Sequence, residues 1–178
     1  MQIYRLEGQK VSLSNDLDPS LAPEIADLAN DRDISRNLGG HSFPFPYTVE
    51  DALFFFNKNR EEGSKFFAID FIIFHSGRPV GIIGLSDIDY LDHKCHVGYW
   101  IGRKYWGKGL VSEALALVTE FARSVLSMHR IYTGVLEFNT ASMTVLLKNG
   151  YTVEGIEREA MFWDGKYWSF LRFSRIFS

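Results

Sequence analysis

The segment Gly102-Arg103-Lys104-Tyr105-Trp106-Gly107-Lys108-Gly109-Leu110 puts three glycines and three cations into nine residues. The apolar stretch Val97-Gly98-Tyr99-Trp100-Ile101 precedes it, and the longest amphipathic run of the chain follows it. Strand, glycine turn and helix in that order suit an anion. Glycine lets backbone N–H groups come close to a phosphate, and the helix N-terminus adds partial positive charge. Cations beside a helix N-terminus oppose the macrodipole unless an anion sits there. The alternative is an ordinary tight turn that happens to be rich in glycine.

Spacing narrows the anion. Gly102 through Gly107-Lys108 meets most of the phosphate-loop pattern, but Gly109 stands where Ser or Thr would bind magnesium. A magnesium nucleoside triphosphate would lose its side-chain ligand at that point. The G-x-G-x-x-G fingerprint opening a first βαβ unit is absent. The turn is expected to hold the pyrophosphate of a nucleotide-containing cofactor, unless it is an ordinary tight turn.

Other reactive residues are few. Cys95 is the one cysteine, so no internal disulfide forms. Strand alternation turns it away from His96, which shares a face with Gly98 and Trp100, and this argues against an acyl-enzyme. His41, His75, His93 and His129 fall in loops or at element edges, with no metal-ligand spacing, so no metal is expected.

The rest of the chain must position these residues. Its 178 residues, 46% hydrophobic and 15% aromatic, suit one domain over 1–178 with a sizeable core. A net charge of −3 argues against a nucleic-acid binder driven by bulk charge. A single cysteine fits a reducing, cytoplasmic setting. The N-terminal residues lack the apolar core of a signal peptide, and no apolar run is long enough to span a bilayer.

Residues 3 to 13 alternate as an opening strand. Asp18-Pro19 caps a first helix running to about Asn30, and Asp31 to Leu38 holds a helical turn. The aromatic, proline-containing loop from Gly39 to Tyr47 either lines a pocket or plugs the core. Thr48-Val49-Glu50-Asp51 opens a second helix with a capping box and buries Ala52, Leu53, Phe55 and Phe56.

Strands are expected over Lys65 to Phe74, Val80 to Asp87 and Cys95 to Arg103, the first two joined by the turn Ser76-Gly77-Arg78-Pro79. The polar stretch Asp89 to Lys94 leads into the third. The next helix buries Leu110, Ala114, Leu117, Val118, Phe121 and Val125. Arg130 to Leu136 is a strand, and Asn139-Thr140-Ala141-Ser142 starts a short helix ending at Asn149-Gly150. Thr152 to Met161 and Trp168 to Phe177 pair around Trp163-Asp164-Gly165-Lys166.

The run Tyr105-Trp106-Gly107-Lys108-Gly109-Leu110-Val111-Ser112-Glu113-Ala114 resembles the acetyl-CoA pyrophosphate loop of the GNAT acetyltransferase superfamily. It is most similar to the RimJ/RimL branch of ribosomal-protein N-terminal acetyltransferases. In the family pattern Gln/Arg-x-x-Gly-x-Gly/Ala, Gly109 holds the middle glycine, Trp106 the first place, and Val111 replaces the small last residue. The match extends in order through Phe45 to Ala52, Val97 to Ile101, Asn139 to Ser142, Asn149-Gly150-Tyr151, Glu154-Gly155 and Asp164 to Tyr167.

The resemblance implies a mixed α/β (α+β) GNAT fold. Its central sheet would be mostly antiparallel, flanked by helices, with strands splayed at the cofactor. It also implies acetyl-CoA as acetyl donor and direct transfer to an amine, either a protein N-terminal α-amine or a small molecule. Cofactor contacts would come from Trp100, Ile101, Arg103, Lys104, Trp106, Gly107, Lys108, Gly109, Leu110, Val111 and Asn139. Homodimers are common in this branch; nucleic-acid and membrane partners are not expected.

By the same resemblance, a backbone N–H between Val97 and Ile101 would stabilise the oxyanion, and Ser142 would serve the leaving thiolate. Ser142 and Asn139 have the alternative role of capping their helix. His96 stands where the branch often has Glu; its imidazole titrates near 6.5 and can accept a proton, or it is a satisfied half-buried residue. A second family acid falls at Met161, with Glu157 or Glu159 as substitutes, and the terminal Asp-His pair reads Ser169-Phe170. An α-amine of pKa about 7.7–8.0 costs roughly 1–1.4 kcal/mol to deprotonate at pH 7, and a lysine about 4.6 kcal/mol, so a weak base favours the first. The departures at His96 and Met161 leave a competing reading, an acyl-CoA-binding regulatory or interaction module with little or no catalysis.

Overall fold

The computed structural model describes residues 2–40, 43–64 and 67–178; His41 and the first two residues of the strand expected from Lys65 lie outside them. The chain begins with two short strands, β1 (Arg5–Glu7) and β2 (Ser12–Ser14), in place of one strand over 3–13. The break is a tight turn closed by the Gly8 N–H donating to the Val11 carbonyl at 2.9 Å. A 3-10 turn over Pro19–Leu21, with Asp18 accepting from the Ser20 N–H, leads into α1 (Ala22–Ala29). The polar segment after it forms a short helix, α2 (Arg32–Asn37), because the Asp31 carboxylate caps the N–H groups of Asp33 and Ile34.

Helix α3 (Val49–Ser64) opens on the expected capping box. The Asp51 carboxylate accepts the Thr48 N–H at 2.8 Å, and the Thr48 hydroxyl accepts the Asp51 N–H at 3.2 Å. Strands β3 (Ile69–His75), β4 (Arg78–Asp89) and β5 (Lys94–Ile101) form a meander. Strand β3 starts later than the apolar run suggests. Arg78 and Pro79 belong to β4 and not to the turn; a register shift opposite Ile73 and Phe74 accommodates the proline, which has no N–H to donate.

Helix α4 (Leu110–Ser124) crosses to β6 (Arg130–Leu136), and α5 (Thr140–Lys148) leads to the hairpin β7 (Thr152–Trp163) and β8 (Lys166–Ile176). Leu115 is fully buried on α4, whereas Val125 lies past the helix end and is 52% exposed, against expectation. The eight strands form one sheet in the order β1-β2-β3-β4-β5-β6-β8-β7. Every neighbouring pair is antiparallel except β5 and β6.

Two cores follow from alternation along the strands. Cys95, Val97 and Ile101 of β5 face the core built with α4 and Leu146 of α5. Ile72, Ile82 and Trp100 face the core built with α1, α3 and Tyr47. The aromatic loop plugs this second core: Phe43 stacks on Tyr47 at 4.8 Å and meets Trp100 edge-on at 5.7 Å, while Phe45 stays half exposed. No helix among the described residues is long and apolar enough to cross a membrane.

Candidate active site

The parallel pair β5 and β6 is bonded over three residues only, from Lys94 opposite Arg130 to His96 opposite Tyr132. Beyond that point β5 stays paired with β4 as far as Ile101, and β6 with β8 as far as Leu136. The sheet is therefore split by a notch along Val97–Ile101, with intact half-sheets on either side. Backbone groups on the notch side of this segment have no strand partner. They are free for an extended, amide-bearing ligand laid in the gap, as a strand would be.

The glycine turn stands at the end of the notch. Arg103–Tyr105 form a 3-10 turn, and Gly107 and Gly109 adopt left-handed φ of 74° and 76°. A Cβ on Gly107 would meet nothing within 4 Å, so its left-handed conformation, and not crowding, calls for glycine. Gly109 is the N-cap of α4 and no side chain caps the helix there. Leu110 is buried and Val111 half-buried against the main core, so both offer a ligand their backbone N–H groups. The Trp106 indole donates to the Ile101 carbonyl at 2.8 Å and ties the turn to the end of β5.

The cations divide. Arg103 pairs with Asp33 and lies 3.8 Å from Asp31, both at the start of α2. Lys104 and Lys108 lie 5.4 and 5.3 Å from the centre of the Tyr105 ring and have no carboxylate partner among the described residues. Uncapped N–H groups, two left-handed glycines and two unpaired ammonium groups fit a pyrophosphate. Trp100 turns its indole into the second core, so the notch meets only its backbone.

The first turn of α5 borders the notch on the α4 side. Asn139 caps this helix, accepting the Ser142 N–H at 3.1 Å. Ser142 is therefore relieved of capping, and its hydroxyl meets the Tyr99 hydroxyl at 2.9 Å. Burial, partly offset by this hydrogen bond, pushes the Tyr99 phenol up to about 12, so it stays protonated. Sequence reading missed Tyr99 as a functional side chain. The signal was its odd position on β5, which alternation sends toward α5.

His96 lies on the other face, where the notch begins. Its Nδ1 is 3.2 Å from the Ser86 hydroxyl and its Nε2 3.5 Å from the Thr133 hydroxyl, with the Tyr132 ring edge-on at 5.6 Å. Burial lowers its pKa below 6.5; Asp87 opposes and Arg172 adds to the shift. The imidazole is thus neutral at pH 7. The carboxylates considered as substitutes are not poised for this role: Glu157 pairs with Arg172, and Glu159 is exposed on a bulge of β7 at φ 52°. Met161 packs its sulfur against Gly39, at 3.1 Å from where a Cβ would stand. Cys95 is buried in the main core, away from His96, with its thiol pushed up to about 12 by burial. No group of three metal-ligating side chains exists among the described residues.

Proton-handling groups thus lie on opposite faces of one strand, Ser142 with Tyr99 on one and His96 on the other, and the notch joins them. Comparison with known proteins identifies the family and the fold. The Acetyltransferase (GNAT) domain model matches residues 15–152. Ribosomal-protein-serine acetyltransferase of Escherichia coli (strain K12) is 32% identical over 98 residues, 54% of this chain and 54% of that protein. The [ribosomal protein uS5]-alanine N-acetyltransferase of the same organism is 28% identical over 126 residues, 69% of this chain and 63% of that protein. The matched stretch is therefore about half to two-thirds of each relative. The structure of Mycobacterium smegmatis RimJ in complex with CoA-disulfide superposes with a TM-score of 0.88 at 20% identity, covering 98% of this chain and 86% of that one, which shows a shared fold. The chain belongs to the GNAT acetyltransferase family.

Proposed function

We propose that the chain is an acetyl-CoA-dependent N-acetyltransferase whose acceptor is an α-amine, most simply a protein N-terminus. The observation that carries this reading is the notch itself. It runs from an anion cradle at Gly107–Leu110 to a point between His96 and Ser142. Bound acetyl-CoA supplies the activated acetyl thioester. The N–H groups of α4 with Lys104 and Lys108 hold its phosphates, and backbone groups of Val97–Ile101 hold its amide-bearing arm. Asn139 fixes the first turn of α5 and so fixes Ser142.

His96, neutral because it is buried, takes a proton from the acceptor amine directly or through one water. On the opposite face Ser142 donates its Oγ proton to the departing sulfur, and the Tyr99 hydroxyl supports Ser142 by donating to the same Oγ. A base held below 6.5 suits an amine of pKa about 7.7–8.0 far better than one near 10.4. Two relatives whose names give ribosomal-protein serine and ribosomal-protein uS5 alanine as the residues acetylated support a protein acceptor. A panel of peptides with free Ser or Ala N-termini, lysine side chains and polyamines, followed by thiol release, tests it. Turnover of the α-amino peptides is expected; turnover of polyamines alone would overturn the acceptor assignment.

The satisfied hydrogen bonds of His96 favour a second reading, a binding module without catalysis. Acetyl-CoA binding without turnover of any amine would select it. The exposed apolar residues Val153, Ile156 and Phe162 on the edge strand β7, with Tyr167 on β8, support a homodimer through this hairpin. Light scattering of the wild type and of a Phe162→Lys variant tests that assembly, which the variant should weaken. The single, buried and reduced Cys95 is in keeping with a cytoplasmic setting.

A further inference from the structure

The β1–β2 turn is remote from the glycine turn in sequence and beside it in space. The Glu113 carboxylate, in the first turn of α4, accepts the N–H groups of Gln9 and, at 2.9 Å, of Lys10. Gly8 makes this approach possible, since a Cβ there would lie 2.2 Å from Glu113 Oε1. On its other side the Lys10 carbonyl lies 2.7 Å from His75 Nδ1. A carbonyl only accepts, so Nδ1 carries the proton and donates. The His75 ring in turn meets Tyr105 edge-on at 6.5 Å, the ring that Lys104 and Lys108 flank.

Held by its N–H and its carbonyl, Lys10 places its ammonium 3.7 Å from the point where a Cβ of Gly109 would stand. No carboxylate among the described residues pairs with it. The third cation at this helix N-terminus is therefore not Arg103, which is taken by Asp31 and Asp33, but Lys10 from the far end of the chain. The carboxylate that holds the turn points at its backbone and not at its ammonium, so the charge at Gly109 is left for a ligand.

We propose that Lys10 binds a phosphate of the cofactor, and that Glu113 and His75 are positioning residues that hold it over the glycine turn. The inference rests on reading this turn as the coenzyme A site. Coenzyme A carries phosphate in two places, the pyrophosphate and the ribose 3′-phosphate, and one ammonium recognises either in the same way.

Calorimetric titration of coenzyme A and of 3′-dephospho-coenzyme A into the full chain tests the inference. Lys10→Ala is expected to weaken coenzyme A binding about tenfold and to flatten its salt dependence, while the melting temperature of the free protein stays level or rises. A loss that persists with the dephospho ligand assigns Lys10 to the pyrophosphate; a loss that vanishes with it assigns Lys10 to the ribose phosphate. Glu113→Ala should lose the same affinity, add nothing in a double variant with Lys10→Ala, and be rescued by Glu113→Gln, which keeps an acceptor oxygen. Unchanged affinity in Lys10→Ala, with the wild type binding, overturns this inference alone, and it is decisive even where Glu113→Ala does not fold. Failure of the wild type to bind either ligand overturns the coenzyme A reading and the inference with it.

Discussion

The two faces of β5 differ in the material from which their chemistry is built. Toward α4 and α5 the site is largely backbone: left-handed glycines, an uncapped helix start and an unpaired strand margin, with charge left uncompensated around it. Toward α1 and α3 it is side chain: His96 with a hydroxyl beside each ring nitrogen, Glu157 paired with Arg172, and aromatic rings filling the second core. The first face is an unfinished polar surface, and unfinished polar surface is what a ligand completes. The second is already satisfied, so whatever binds there must compete with bonds the protein makes to itself. On the proposed function, recognition of the donor would rest on main-chain geometry and recognition of the acceptor on a few exchangeable side chains.

The hardest blow to this contrast should come at Gly109. A β-branched residue is costly at a φ of 76° and moves the N–H groups that follow. Gly109→Val should weaken acetyl-CoA binding by about a hundredfold in calorimetry, and near-normal binding would show that the face is not backbone-made. Next come Ser142 and Tyr99, the groups proposed to serve the leaving sulfur. Ser142→Ala should lower kcat by about a hundredfold with little change in KM for acetyl-CoA, and Tyr99→Phe by about tenfold. Equal losses in KM would recast the pair as a binding contact.

His96 tests the satisfied face through pH. Its folded pKa is below 6.5, so between 6.5 and that lower value the unfolded chain binds a proton that the folded chain does not. Stability should therefore fall on acidification through that window and stay flat, as far as His96 contributes, above 6.5. Denaturant melts at stepped pH should show the slope shrink in His96→Gln. In assays with an α-amino peptide, the acid limb of kcat/KM governed by the enzyme should sit below pH 6.5 and vanish in the same variant. The smallest effect is expected at Arg103, whose charge is spent on α2: Arg103→Ala should change acetyl-CoA affinity by less than about twofold, against about fivefold for Lys108→Ala.

Much of the scaffold was legible because its signals are local. The Thr48–Asp51 capping box, the Asn139 cap, the turn at Asp164-Gly165 and the helix stop at Gly150 all depend on residues within a few positions of one another. Where reading failed, a distant partner decided. The opening strand breaks at a turn that Glu113 also holds.

By itself the sequence determined the glycine turn and its helix, because left-handed backbone and an uncapped N-terminus follow from neighbouring residues. It also separated Cys95 from His96, since alternation is a property of any strand. Only the tertiary structure decided which side chains stand at the site. Tyr99 meets Ser142 across 43 residues, Arg103 is drawn to Asp33 across 70, and Lys10 is held by Glu113 across 103. Spacing carries no information at such separations. The packing of α2, α4, α5 and the β1–β2 turn around one split sheet sets them, and with them the charges and protons that a ligand would meet.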